Sequence, residues 1–238
     1  MAVKATAIRP GRRAAPAAAA DAVARFLDAL GLPPAVRGAA DLEGTPRRVA
    51  EAWLEDLVDG YAKDPAELLA DSLPSAGRDL VAVTGIDFHS VCPHHLLPSR
   101  GVAHVAYVPG GKVVGFGQIV KLVDALAHRL VLEEDLARQI ADALVSHLGA
   151  RGAACLLDAE QLCMTVRGEK RARARAHAEA WAGTLARDGA ARRRFLALAR
   201  GAPRAEGRGG RGRAAPSRRD RSRGRPPRAS APPRSKPR

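Results

Sequence analysis

The chain predicts an α+β fold: an antiparallel sheet with helices gathered on one face. Three observations carry this. Helical periodicity dominates residues 21–70, period-two alternation takes over near Asp79, and the order that follows is strand pair, helix pair, strand pair.

Residues 1–20 read as a linker-like, disordered leader; its arginines and alanine run resemble a targeting segment but lack a leucine-rich stretch. Residues 21–76 form an N-terminal helical region. In DAVARFLDAL, Val23, Phe26, Leu27 and Leu30 share a helical face, and Gly31 with two prolines ends it. Thr45 and Pro46 predict a helix start, with Thr45 as the cap. That helix is expected to run on through Ala62, stacking Val49, Trp53 and Leu57 on one face. Asp64-Pro65 opens a short helix that runs into the loop SLPSAGR.

Residues 77–168 hold the strands. DLVAVTGIDFHSVC alternates as a strand, and VAHVAYVPGGKVVGFG reads as two short strands around a Pro-Gly-Gly turn. A long helical stretch follows. Its apolar positions 119, 122, 123, 126 and 130, then 136, 140, 144 and 148, predict two helices parted at Glu133-Glu134-Asp135. AACLLDAEQLCMTVRG returns to strand, with Cys163 on it. Residues 169–200, rich in Ala and Arg, are expected to be helical, and residues 201–238 to be a disordered basic tail.

The charge of +14 belongs mostly to that tail. Twelve arginines and one lysine against Glu206 and Asp220 give it +11, leaving about +3 on the first 200 residues. The tail is suited to electrostatic binding of nucleic acid or another polyanion, but it lacks aromatics for base stacking. The sequence holds no apolar run of about eighteen residues, so no membrane span is expected and the reading is of a cytoplasmic protein. Three cysteines do not make a disulfide framework, and in a reducing compartment thiols near histidines point to metal.

VCPHHLLP, residues 91–98, carries the chemistry. Cys92 and His95 are three apart, so a thiolate and an imidazole can share a cation across a tight turn. Cys163 is the third candidate ligand, with a small core residue as the alternative; Cys155 is read as core. His94 is open to three roles: second ligand, proton carrier or surface residue.

The run VCPHHLLPSRGVAHVAYVPGGKVVGFGQIVKLVDALAHRL, with GTPRRVAEAW upstream and AEQLCMTVRG downstream, resembles the GTP cyclohydrolase I family over about residues 20–168. The resemblance implies the tunnelling fold (T-fold), a homo-oligomer, usually a homodecamer, with sites between subunits, and Zn2+ on Cys92, His95 and Cys163. It implies a catalytic role for His94 and binding of GTP, or a related purine nucleotide, by Glu134, Lys121, Arg167 and Gln161. The implied reaction converts GTP to dihydroneopterin triphosphate and formate, with zinc acidifying water for attack on the guanine imidazole carbon.

This chain departs from the family pattern at several positions. A second catalytic histidine is replaced by Gln161, which cannot carry a proton at neutral pH. A Ser-Lys pair is Gly117-Gln118, an arginine is Lys121, and a Gln-Glu-Arg run is Glu133-Glu134-Asp135. Pro93 stands where a glutamate is expected, and the Ala/Arg run replaces a Thr/Ser-rich loop. Two further readings follow: an impaired paralogue that keeps zinc and assembly with a binding or regulatory role, or a zinc hydrolase acting on another purine compound.

Overall fold

The computed structural model describes residues 15–201. The leader up to residue 14 and the basic tail beyond 201 lie outside the described residues.

Helix α1, Pro16–Ala29, begins inside the expected leader. Alanine has the best helix propensity, and Pro16 at the first helical position presets the backbone, so residues 16–20 are helical. Two single turns, α2 (Pro34–Arg37) and α3 (Ala40–Glu43), lead into α4, Thr45–Ala52. Thr45 is not the cap of α4: Gly44 precedes the helix, and the Thr45 hydroxyl donates to the Asp41 carbonyl oxygen and accepts from Arg48.

The long helix expected to follow is broken into a π-helical turn, Trp53–Leu57, and a 3-10 turn, Asp59–Ala62. Tertiary contacts outweigh propensity here. The Gly60 N–H donates to the His128 carbonyl, Arg129 Nε donates to the Gly60 carbonyl, and Asp59 Oδ1 lies 2.7 Å from His128 Nδ1. Helix α5, Pro65–Ala70, starts as expected, with the Asp64 carboxylate accepting from the Ala66 N–H.

Strand β1, Ser72–Pro74, arises in what reads as loop. Strands β2 (Val81–Val91) and β3 (Pro98–Val108) form a long antiparallel hairpin, with a bulge between Val83 and Ile86 where Gly85 takes a φ of +77°. Strand β4, Lys112–Val114, does not fold back on β3 as the Pro-Gly-Gly turn suggests; it pairs with β1 in a separate two-stranded sheet. Helix α6, Phe116–Ala127, and helix α7, Glu133–Ser146, follow. The break between them is His128–Leu132. The three acids form the first turn of α7, where negative charge suits the helix dipole.

Strand β5, Gly152–Gln161, ends in a single turn, α8 (Leu162–Thr165), so Cys163 sits on a turn instead of a strand. The region expected to be helical from 169 to 200 contains strand β6, Ala176–Gly183, before helix α9, Gly189–Gly201. The reason is steric: Ala178, Ala180 and Ala182 alternate onto one face of β6, and a strand of small residues fits beneath α7.

The main sheet is antiparallel in the order β2-β3-β5-β6. Helices α6 and α7 cover one face, burying Ile119, Leu122, Leu136, Ile140 and Leu144 against Val105, Tyr107, Cys155 and Leu157. Helix α9 covers part of the other face, where Phe195 packs with Ala106, Ala154, Leu185 and Trp181. Gly101 marks the tightest pairing of β3 on β5, since a Cβ there would come within 2.7 Å of Ala159 Cα. Gly101→Ala is expected to lower unfolding stability by about 1–3 kcal/mol, read as a reduced denaturation midpoint.

Candidate metal centre and active site

Antiparallel order brings three chain ends to one edge of the sheet: the end of β2, the start of β3 and the end of β5. The β2–β3 connection is six residues, Cys92 to Leu97. It is closed by Cys92 N–H donating to the Leu97 carbonyl (3.0 Å) and Leu96 N–H donating to the Cys92 carbonyl (2.9 Å). Leu96 takes a left-handed φ of +54°, which costs a non-glycine residue about 1–2 kcal/mol. That conformation closes the turn and returns the chain to β3.

On the next strand, Gln161 is in register with Ser99, which faces Ser90 across the hairpin. Cys163, two residues on, therefore reaches the turn. The Cys92 and Cys163 sulfurs and a His95 ring nitrogen all lie within 4.8 Å of one another, and no other His, Cys, Asp or Glu triad converges this way among the described residues.

The donor chemistry fits zinc: two thiols and an imidazole, three protein ligands with a position to spare. Burial, and then the adjacent Cys92 thiol, hold the Cys163 thiol above its ordinary pKa. A bound cation would favour the Cys163 thiolate. Cys155, by contrast, is fully buried in the core and its thiol is pushed far up by burial alone, in keeping with a packing role.

His94 is exposed beside the triad, its Nδ1 3.9 Å from Cys92 Sγ and its ring edge-on to that of His95 at 6.2 Å. Arg167, exposed just after α8, lies near enough to favour the Cys163 thiolate. Glu134 is exposed in the first turn of α7. Lys121 is exposed on α6, which packs on β2, α5, α7 and the turn Asp59–Ala62. Gln118 Nε2 points back to Asp71 Oδ2 at 3.4 Å.

Two buried serines at the sheet end escaped the sequence reading. Alternation places Ser90, Ser99 and Gln161 on the helix-covered face, in phase with Phe88, Ala103 and Ala159. Ser90 and Ser99 are buried and share a 2.6 Å hydrogen bond. Glu133, at the start of α7, is also buried, 5% exposed, with neither carboxylate oxygen in a hydrogen bond. The signal was present: Glu133 is in helical phase with Leu136, Ala137, Ile140 and Leu144, all buried. Burial raises its pKa to about 7, against a lowering by the Gln161 amide.

Comparison with known proteins agrees with this geometry. The sequence profile of the GTP cyclohydrolase I family matches residues 19–200. A GTP cyclohydrolase 1 of Chromobacterium violaceum is 47% identical over 152 residues, 64% of this chain and 74% of that one. That of Ralstonia nicotianae is 45% identical over 157 residues, 66% of this chain and 75% of its own length. That of Halalkalibacterium halodurans is 42% identical over 181 residues, 76% and 94% of the two chains. Among the described residues no helix is long and apolar enough to cross a membrane. With its antiparallel sheet, its helix pair on one face and its convergent Cys–His–Cys edge, the chain belongs to the GTP cyclohydrolase I family and shares that family's tunnelling fold.

Proposed function

We propose that the protein is a zinc-dependent hydrolase that converts GTP to dihydroneopterin triphosphate and formate. The observation that carries this reading is the convergence of Cys92, His95 and Cys163 at the sheet edge of a chain of this family. Those three residues would hold the metal, and zinc there supplies the Lewis acidity that brings water toward neutral-pH reactivity.

The rest falls to the chain's own side chains. His94, exposed next to the ligands, exchanges protons with the opening imidazole ring. Glu134, exposed at the start of α7, accepts hydrogen bonds from the purine N–H groups. Arg167 and Lys121 meet the triphosphate, Arg167 with a bidentate fork and Lys121 as a point charge. Gln161 offers a hydrogen bond to the substrate without a proton of its own.

The assembly is a homo-oligomer, a homodecamer on the family pattern, with sites between subunits. In the single chain β2 and β6 are the edge strands of the main sheet, and open edges favour pairing with further copies. The Arg-rich tail, outside the described residues, is a candidate for binding nucleic acid or another polyanion, and the protein is cytoplasmic.

The tie between Gln118 and Asp71 favours a second reading, in which the protein binds the nucleotide without turning it over, since that side chain offers the triphosphate no charge. Incubating zinc-loaded protein with GTP, with and without chelator, and following pteridine fluorescence and formate separates the two. The expected result is product that disappears with chelation. GTP binding with no product at any zinc load leaves the second reading standing.

A further inference from the structure

The positive charge of this chain begins inside the folded region, at α9. Residues 189–238 carry sixteen arginines and one lysine against Glu206 and Asp220, a net of +15 (17 minus 2), so residues 1–188 sum to about −1 (14 minus 15). Four of those arginines, Arg192, Arg193, Arg194 and Arg200, lie on α9, which has no acidic residue. The helix is held firmly on the sheet. Phe195 is fully buried, Arg192 lies 4.3 Å over the Trp181 ring, and the Asp188 carboxylate accepts from the Ala190 and Ala191 N–H groups. Its other side presents Arg193, Arg194 and Arg200 to solvent. Elsewhere Arg37, Arg47, Arg100, Arg138 and Arg175 each meet a carboxylate; among the described residues these three meet none. At the start of α9, Arg151 and Arg187 line an open hollow with Gly183, Thr184 and Asp188, adding two more cations without an ion pair among the described residues.

We propose that the outward side of α9 is a binding surface for single-stranded nucleic acid, with Arg193, Arg194 and Arg200 meeting its phosphates. This rests on the nucleic-acid reading of the basic tail given above and carries it into the folded region. A helix rises about 1.5 Å per residue, so Arg193 and Arg200 stand about 10 Å apart along the axis and meet different phosphates of one strand. Arginine suits the task, since its planar fork matches phosphate oxygens two at a time. Phe195, the one aromatic residue after Trp181, is buried, so bases find nothing to stack on and binding is independent of sequence.

The chemistry favours a nucleic acid over an anionic lipid surface. A helix lying in a membrane interface turns its apolar face to the lipid. The apolar side of α9 is packed on the sheet through Phe195, and Leu198 is the one large apolar side chain exposed on the helix. Residues 201–238 contain no Leu, Ile, Val, Met or aromatic residue, and their Gly-Arg and Arg-Ser runs are of the kind that bind single strands.

The test follows the fluorescence anisotropy of a labelled oligouridylate titrated with full-length protein at several salt concentrations. Wild type is expected to bind with an affinity that falls steeply as salt rises. Arg193→Gln, Arg194→Gln and Arg200→Gln together are expected to weaken binding about 10–100-fold at moderate salt. They are also expected to lower the slope of log affinity against log salt by about 2, since each phosphate contact on a single strand adds about 0.7. Lysine at the same three positions is expected to keep that slope. Circular dichroism and zinc content are expected to match wild type in every variant. If the glutamine variant binds as wild type does, and binding is lost only on truncation after Gly201, the inference is overturned and the reading of the tail stands. A wild type that does not bind, or binds independently of salt, overturns both. Phosphatidylserine-containing vesicles that bind wild type as tightly as the RNA, and lose as much in the glutamine variant, overturn nucleic acid as the partner.

Discussion

Cys163→Ala is expected to remove zinc from the protein and with it any GTP turnover. The side chain contributes one of three donors within 4.8 Å, and two ligands on the one β2–β3 connection do not hold zinc in a closed geometry. Changes to groups that only orient a ligand cost about 10–100-fold in metal affinity, so loss of a ligand is expected to exceed about 100-fold. Metal analysis after dialysis, with zinc competition against a chromogenic chelator, measures it. Two controls set the meaning of the result. Cys155→Ala, altering a thiol buried in the core, is expected to keep zinc and lose about 1 kcal/mol of stability. His94→Ala is expected to keep zinc while losing about 10²–10⁴-fold in rate. Zinc retained at full affinity in Cys163→Ala would remove that residue from the ligand set.

The second large effect concerns stability and pH. Glu133 has a folded-state pKa of about 7 against an ordinary 4.5, so the folded protein holds this proton more tightly than the unfolded chain. Its contribution is fully present below pH 4.5 and is lost as pH rises toward about 7, above which the folded state carries a buried, unpaired carboxylate. At 1.36 kcal/mol per pKa unit the loss amounts to about 3 kcal/mol. Glu133→Gln, which has no proton to lose, is expected to be about 3 kcal/mol more stable than wild type at pH 8 and nearly equal to it at pH 4.5. Urea unfolding of chelator-treated protein across this range checks it. A constant difference between the two proteins at all pH values would place the Glu133 carboxyl in the ordinary range.

Much of the candidate site was legible because its signals are local. Cys92, His94 and His95 lie within four residues on a turn that the flanking alternation already delimits, and Cys163 follows a strand whose apolar pattern is clear. The helix pair was equally plain, since positions 119, 122, 123 and 126, and 136, 140, 144 and 148, are buried as their periodicity requires. Leu130, assigned to the same apolar face, is exposed because α6 stops at Ala127 and the chain leaves the helical path.

What failed depended on partners distant in sequence. The Ala/Arg segment favours helix by propensity, yet β6 forms because β5 offers an open edge and α7 admits only small side chains above it. Lys112–Val114 has a turn beside it that suits a hairpin, but β3 already pairs on both sides with β2 and β5, so β4 finds Ser72–Pro74 instead. The helix expected through Ala62 is broken by bonds from Gly60 and Asp59 to residues nearly seventy positions away.

The sequence alone determined the family, the α+β class and the candidate metal turn with Cys92 and His95, because a short turn and an amphipathic helix are written in neighbouring residues. Only the tertiary structure decided that Cys163 meets the turn, that β6 completes the sheet, and that Glu133 is a buried carboxyl instead of a solvated one. Each of these depends on which strand ends the antiparallel order brings together and on what a helix covers, and neither is encoded within any one segment.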